Sequence, residues 1–175
     1  MADHSVDAPA EPHERFHFTK KYVGVTTNDE FMTIDDWAND AHLGHGSDLL
    51  LQIDIEGFEC EVFLSASDAL MRRFRIIVAE CHWLDQLWNR PFFGLARRAF
   101  DKILQTHACV HIHPNNSGGA LTKDGLEVPR TMEFTFLRTD RIAHRSFQCT
   151  FPHPLDCDNT VQATLPLPTC WYGSP

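Results

Sequence analysis

Apolar residues cluster in four short runs along the chain, and each run predicts a β-strand. The runs cover 48–55, 75–82, 108–113 and 132–138. They are rich in branched and aromatic residues and are bounded by turn residues, which is typical of strands. The first run, DLLLQIDI, is almost continuously apolar, which predicts a parallel strand covered on both faces.

Two longer segments between these runs show the spacing of helices. In 57–71 apolar residues recur at every fourth position, as on one buried helix face: Phe58, Val62, Ala66 and Leu70. The segment 92–105 repeats the helical pattern. Earlier in the chain, Thr33 precedes two acidic residues, which predicts the N-cap of a short helix through Trp37.

The order of these elements predicts a three-layer α/β domain with a mainly parallel sheet and right-handed crossovers. We place this domain at 31–140, with the turn-rich segment PNNSGGALTKDGLEVP as a loop before the last strand. Residues 1–30 are predicted to be disordered or partly ordered, since they begin with a polar stretch without periodicity. Residues 141–175 are predicted to form an irregular tail on the surface.

Composition and charge narrow the class of protein. The 175 residues are 43% hydrophobic and 22% charged, as in one globular domain. Twenty-four acidic and fifteen basic residues give a net charge of −9, which argues against binding to nucleic-acid phosphates. No apolar run reaches the ~20 residues of a membrane span, and the first thirty residues lack a signal-peptide pattern. We therefore expect a cytoplasmic protein.

Six cysteines are scattered through the chain without a C-x-x-C pair. Cys60, Cys81 and Cys109 lie inside apolar segments. We therefore predict buried free thiols rather than disulfides or a zinc site.

Ionisable and amide side chains follow three of the predicted strands. They are Asp54 and Glu56, then Glu80 and His82, then His111, His113, Asn115 and Asn116. Ligands of α/β sheets bind beyond the carboxyl ends of the strands, so we expect these residues to meet at one rim. Gln52 shares the strand face of Asp54 and Glu56, because alternate side chains point the same way.

Each group also has an ordinary structural explanation. Asp54 could cap the following helix. Glu80 and His82 could form a buried hydrogen bond, and HIHPNN could be a turn in which the asparagines adopt left-handed conformations. Three strands that end this way favour a reaction site over turns alone.

Several motifs in this order resemble one enzyme family. DLLLQIDIEGFECEVF is followed by IIVAECH, HIHPNNSGG, VPRTMEFTFLRTDR and FPHPLDCDN. Together, over about 31–159, they resemble the FkbM-type family of S-adenosylmethionine-dependent methyltransferases, whose KIDVEGAE element corresponds to 52–59. The resemblance implies a Rossmann-like class I methyltransferase fold with an antiparallel last strand. It also implies S-adenosylmethionine as donor and a hydroxyl acceptor on a sugar or small molecule.

The resemblance also implies roles for the residues at the strand ends. Asp54 and His82 would act as base or orient the acceptor, with Glu56 and Glu80 as orienting groups. Gln52 and Asp54 would contact the donor. The acceptor side would be lined by His111, His113, Asn115 and Asn116.

Two departures from the family pattern matter. Gln52 stands where the family commonly has lysine, and no G-x-G-x-G loop precedes the motifs. The chain therefore resembles the carboxyl-terminal half of the domain. We expect the strand before Asp54 to have an unpaired edge. A second copy, a separate amino-terminal half, or the segment RFHFTKKYVGV could cover it.

Two other function classes remain open from the sequence. A metal-dependent enzyme is one, because five candidate ligands follow the strands: Asp54, Glu80, His82, His111 and His113. A non-catalytic binding or assembly module is the other. It would use the open sheet edge or the aromatic residues of HWLDQLWNRPFF.

Overall fold

The computed structural model describes residues 1–41 and 46–172, which form a mixed α/β structure. Its strands are β1 (Tyr22–Val23), β2 (Phe31–Met32), β3 (Leu49–Ile53), β4 (Phe74–Cys81), β5 (His107–Pro114), β6 (Ala120–Lys123), β7 (Leu126–Pro129) and β8 (Met132–Arg138). Its helices are α1 (Ile34–Asp40), α2 (Glu59–Ser65), α3 (Asp68–Met71) and α4 (Arg90–Leu104). Short 3-10 turns occupy Leu84–Trp88, Thr139–Arg141 and Thr169–Trp171.

The central sheet has the strand order β3-β4-β8-β5. Strands β3 and β4 are parallel, whereas β8 is antiparallel to both of its neighbours. Strands β3, β4 and β5 therefore point the same way, and their carboxyl ends lie at one rim. The prediction of an antiparallel last strand is confirmed. Its place between β4 and β5 was not predicted, and it leaves only one parallel pair in this sheet.

Helices cover one face of the sheet. The ring of Phe100 in α4 lies 5.1 Å from that of Phe134 and 6.1 Å from that of Phe136, and α2 packs against α4. Glu80 and Glu133 lie on the opposite face, where the tail after Arg141 covers part of the sheet. The predicted second layer of helices on that face is thus replaced by irregular chain.

The helix predicted over 57–71 is broken into α2 and α3. Ser67 is the N-cap of α3, because its Oγ accepts a hydrogen bond from the N–H of Leu70 at 3.1 Å. The N–H of Ser67 itself donates to Asp35 of α1 at 2.8 Å. Phe58 is 59% exposed rather than buried, because it precedes α2 as its N-cap residue.

Two other local predictions have opposite outcomes. Thr33 is the N-cap of α1, as predicted, and its Oγ1 accepts from the N–H of Asp36 at 3.1 Å. The predicted loop before β8 instead contains the hairpin β6–β7. Asp124 and Gly125 connect its strands with φ values of 52° and 78°, the left-handed pair that a type I′ turn requires.

Strand β3 lies at the edge of the sheet. No strand of the described residues pairs with its outer side, in agreement with the predicted unpaired edge. Strands β1 and β2 pair with each other instead, although Val23 packs against the core. Leu50 is 63% exposed, so one face of β3 is open to solvent. The prediction that this strand is covered on both faces is wrong.

All six cysteines are free thiols. Cys81 is buried and Cys60 is half-buried. Cys109 is exposed, contrary to the prediction, because β5 has a register shift directly after it. No helix in the described part of the chain is long and apolar enough to cross a membrane.

Candidate active site

The corner after β3 has a backbone conformation that few side chains tolerate. Glu56 has a φ of 61° and Gly57 a φ of 110°. A Cβ atom on Gly57 would lie 1.8 Å from the indole nitrogen of Trp83, so glycine is required here. Trp83 itself has a φ of 60°. Left-handed residues other than glycine cost about 1–3 kcal/mol and cluster at functional sites.

Glu59 is a buried carboxylate that positions His82. Its side chain is only 3% exposed. Oε1 accepts hydrogen bonds from the backbone N–H groups of Ile55 at 3.1 Å and Gly57 at 3.0 Å. The same oxygen lies 3.1 Å from Nδ1 of His82. We assign a proton to Nδ1, because this oxygen already acts as an acceptor.

Nε2 of His82 faces three further carboxylates. It lies 3.9 Å from Oδ1 of Asp54, 3.5 Å from Oε2 of Glu56 and 3.6 Å from Oε2 of Glu80. The side chain of His82 is 13% exposed, whereas that of Glu56 is 87% exposed. The imidazole therefore lies at the base of an acidic corner that is open to solvent.

Glu80 is held from its other side by an amide. Nδ2 of Asn115 donates to its Oε1 at 2.6 Å, and Oδ1 of Asn115 accepts from the N–H of Ser117 at 2.8 Å. Burial raises the pKa of Glu80 above its usual range; the Asn115 bond opposes this shift and the nearby Asp54 carboxylate adds to it. The carboxylates of Glu80 and Asp54 are therefore held close together at an energetic cost.

A pocket of about 380 Å³ opens beside this corner. It is lined by Gln52, Ile53, Asp54, Val78, Glu80, Asn115, Glu133 and Asn159. Glu133 lies opposite Glu80 in the β4–β8 register, and Nδ2 of Asn159 donates to it at 2.6 Å. Three carboxylates and three amides line this acidic pocket and none of these residues is basic, so it suits neutral or cationic ligands.

A second pocket, of about 390 Å³, lies along the outer edge of β3. Its walls come from Met1, Ala2, Val23, Ile34, Trp37 and the segment from Leu50 to Ile55. Most residues that line this edge pocket are apolar, and one of them, Trp37, is aromatic. It shares Gln52, Ile53 and Asp54 with the acidic pocket, so these three residues lie between the two cavities.

Comparison with known families identifies the domain that contains this corner. The model of the methyltransferase FkbM domain matches residues 2–111, which is more than half of the chain. The chain belongs to the FkbM methyltransferase family. The resemblance carried by the motifs is thereby confirmed, and the match includes Asp54, Glu59, Glu80 and His82. It begins well before residue 31 and ends within β5. No curated protein and no solved structure matches the chain.

In this FkbM domain the two histidines of β5 form a separate cluster with the tail. Nε2 of His111 lies 2.8 Å from Oδ1 of Asp156, and Nδ1 of His113 lies 3.6 Å from Oδ2 of the same residue. Nε2 of His113 donates to the carbonyl of Cys157 at 3.1 Å. Strand β8 lies between β5 and β4, so His113 is two strands, about 10 Å, from Glu80.

Asn116 also holds the tail rather than lining the acidic pocket. Its Nδ2 donates to the carbonyls of Thr160 at 3.2 Å and Gln162 at 3.0 Å. Its Oδ1 accepts from the N–H of Thr160 at 2.9 Å. The side chain is buried, so these bonds fix the tail against the end of β5.

The predicted site residues thus fall into two groups. The structure brings together Gln52, Asp54, Glu56, Glu80, His82 and Asn115. It places His111, His113 and Asn116 apart, in contact with the tail. The prediction that His111 and His113 would join the other four ionisable residues at one site is therefore corrected. A shared rim does not bring together side chains on strands that are not neighbours.

Glu59 was not among the predicted site residues, although it belongs to the matched motif. In the sequence, Glu59 is an acid two residues after a glycine, in the first turn of a predicted helix. An acid at this position usually indicates only a favourable interaction with the helix dipole. The capping explanation for Asp54, in contrast, is not supported. Helix α2 has Phe58 as its N-cap and no side-chain cap bond.

Proposed function

We propose that this FkbM domain transfers a methyl group from S-adenosylmethionine to a hydroxyl group of a sugar or small molecule. One observation carries the proposal: Asp54 lies between two adjoining pockets, an apolar one and a polar one, beside Glu80 and His82. Methyl transfer requires donor and acceptor to meet in line, and two pockets that share one wall supply that arrangement.

The edge pocket fits the donor. Its volume of about 390 Å³ is within the usual range for small-molecule sites. Trp37 and Ile34 offer an apolar wall for a flat base, and Gln52 offers an amide for hydrogen bonds. The carboxylate of Asp54 suits a positive charge. When bound, the donor supplies a methyl group on a positively charged sulfur atom.

The acidic pocket would receive the acceptor. Asn115 is fixed by Ser117 and by Glu80, which makes it a suitable contact for a neighbouring hydroxyl group. The bound donor would supply the methyl group to the hydroxyl oxygen, and its sulfur would keep the electron pair of the broken C–S bond. The hydroxyl proton passes to a carboxylate oxygen of Asp54. A positioned base of this kind contributes about 10²- to 10⁴-fold to a rate.

The charge of the acidic pocket limits the acceptor class. Asp54, Glu80 and Glu133 line it without a basic partner, so a phosphate or carboxylate near the methylated hydroxyl would be repelled. We therefore propose a polyhydroxylated acceptor without anionic groups at that end. No G-x-G-x-G motif precedes β3 in the sequence. We propose that a strand from a second copy or an amino-terminal half completes the donor side at β3.

The test combines donor binding with product formation. Calorimetric titration of the donor should show saturable binding that Trp37→Ala weakens at least tenfold. Phe93→Ala, at an exposed aromatic residue of α4 outside both pockets, should leave it unchanged. Mass spectrometry of a neutral sugar panel should then detect a gain of one methyl group. Failure of the chain to bind the donor, alone or as an oligomer, would favour a non-catalytic module instead.

A further inference from the structure

We propose that Asp54, Glu80 and His82 together bind one divalent transition-metal cation. The inference deepens the proposed function, because the ion would sit where the acceptor hydroxyl is expected, but ion binding does not depend on methyl transfer. One oxygen of Asp54, one oxygen of Glu80 and one nitrogen of His82 all lie within 4.8 Å of one another. Within the described ranges, no other group of three His, Cys, Asp or Glu side chains brings its ligand atoms this close together.

The distances fit a single ion with little movement. Ligands at about 2.1 Å from one tetrahedral ion are about 3.4 Å apart. Nε2 of His82 is 3.6 Å from Oε2 of Glu80 and 3.9 Å from Oδ1 of Asp54. Binding would therefore shorten these two distances to Nε2 by only a few tenths of an ångström. Asp54 is on the solvent side, which gives the ion a path of entry.

His82 is already oriented as a ligand. Metal-binding histidines almost always donate their other ring N–H to a carboxylate or carbonyl, which fixes the tautomer and the ring. Glu59 supplies this contact at Nδ1, at 3.1 Å, and its own position is fixed by two backbone N–H groups. Glu59 is not one of the three ligands. The orientation of His82 by Glu59 is therefore an observation independent of how closely the three ligand atoms approach one another.

The charge of this corner points the same way. The carboxylates of Asp54 and Glu80 both face Nε2 of His82, and no basic residue lines the acidic pocket. A cation would bind both carboxylates and the ring nitrogen, and the second oxygen of Asp54 stays available for the proton.

The ligand types indicate the class of metal. Ca²⁺ and Mg²⁺ prefer all-oxygen sites, whereas one imidazole with two carboxylates suits Mn²⁺, Fe²⁺ or Zn²⁺. The β5 cluster of His111, His113 and Asp156 is not a second site of this kind. Nε2 of His113 is bonded to a carbonyl, and its Nδ1 is buried against Asp156.

The direct test is Mn²⁺ titration of the chelator-treated full-length chain, followed by electron paramagnetic resonance of free Mn²⁺ and by calorimetry. We expect one equivalent to bind. Glu80→Gln and His82→Gln should each weaken binding at least tenfold, and Glu59→Gln should weaken it about 10- to 100-fold, as for other residues that orient a ligand. Asp101→Asn is the control: it removes an exposed carboxylate of α4, outside the acidic pocket, and should leave the affinity unchanged.

The outcomes separate this inference from the proposed function. Absence of saturable Mn²⁺ and Zn²⁺ binding at millimolar concentration would overturn it, as would equal affinities in wild type and in both ligand variants with native circular dichroism spectra. Methyl transfer by a chain that shows no such binding would refute the ion and leave the methyltransferase proposal intact. Stoichiometric binding that Glu80→Gln weakens supports the ion even if no methyl transfer is found.

Discussion

Replacement of Glu59 by alanine should destabilise the protein more than any change at the surface of the same site. The carboxylate is 3% exposed and serves three donors: the backbone N–H groups of Ile55 and Gly57 and Nδ1 of His82. A buried donor without a partner costs about 1–3 kcal/mol. Water can reach the partly exposed His82, so we expect Glu59→Ala to lower the free energy of unfolding by about 2–4 kcal/mol.

Glu59→Gln separates hydrogen bonding from charge. Its Oε1 still accepts from the backbone, but bonds to a neutral acceptor are weaker than those to a carboxylate, so the expected loss is about 1 kcal/mol. Asp101→Ala, at an exposed acid of α4, is the surface control and should change stability by less than about 0.5 kcal/mol. Urea unfolding followed by circular dichroism measures all three. The reasoning is refuted if Glu59→Ala is no worse than Asp101→Ala.

Three further predictions follow from particular contacts. Gly57→Ala should lower the free energy of unfolding by about 2 kcal/mol or more, because φ is 110° at this residue. Gly94→Ala has open space for the added methyl group and should stabilise α4 by about 0.5–1 kcal/mol. Urea unfolding measures both variants, and equal effects would contradict this reasoning. The pKa of Glu80 is raised in the folded protein. Glu80 therefore contributes to stability below the usual pKa of 4.5, and this contribution is lost as the pH rises through the raised pKa. Glu80→Gln in chelator should remove that part of the pH dependence of unfolding, and an unchanged profile would refute the assignment. Asn116→Ala should speed tryptic cleavage within 141–172, measured by mass spectrometry, and equal cleavage rates would show that Asn116 does not hold the tail.

Much of the rim could be predicted from the sequence because its signals are local. The strands that precede Asp54 and Glu80 are marked by apolar runs, and a polar side chain at a strand end is visible in the sequence itself. Parallel strands then place those ends at one rim as a matter of geometry. The positive φ of Gly57 likewise follows from the need for a tight exit into α2.

The remaining features depend on contacts between distant residues. Asp156 joins His111 although the two are 45 residues apart, and no spacing rule predicts which tail carboxylate reaches which strand. The insertion of β8 between β4 and β5 separates the histidines from Glu80 for the same reason. The hairpin at Asp124 is different. Its Asp-Gly pair between short strand-like runs is a recognised turn signal that the turn-rich composition of the segment obscured.

The most direct test of the central claim is Asp54→Asn, measured for melting temperature and for methyl transfer side by side. The side chain is 51% exposed and caps no helix, so its replacement by an amide of equal shape should change stability by less than about 0.5 kcal/mol. Loss of the base should lower methyl transfer by about 10²-fold or more. A variant that is equally stable and equally active would contradict the assignment of this corner as the site of methyl transfer.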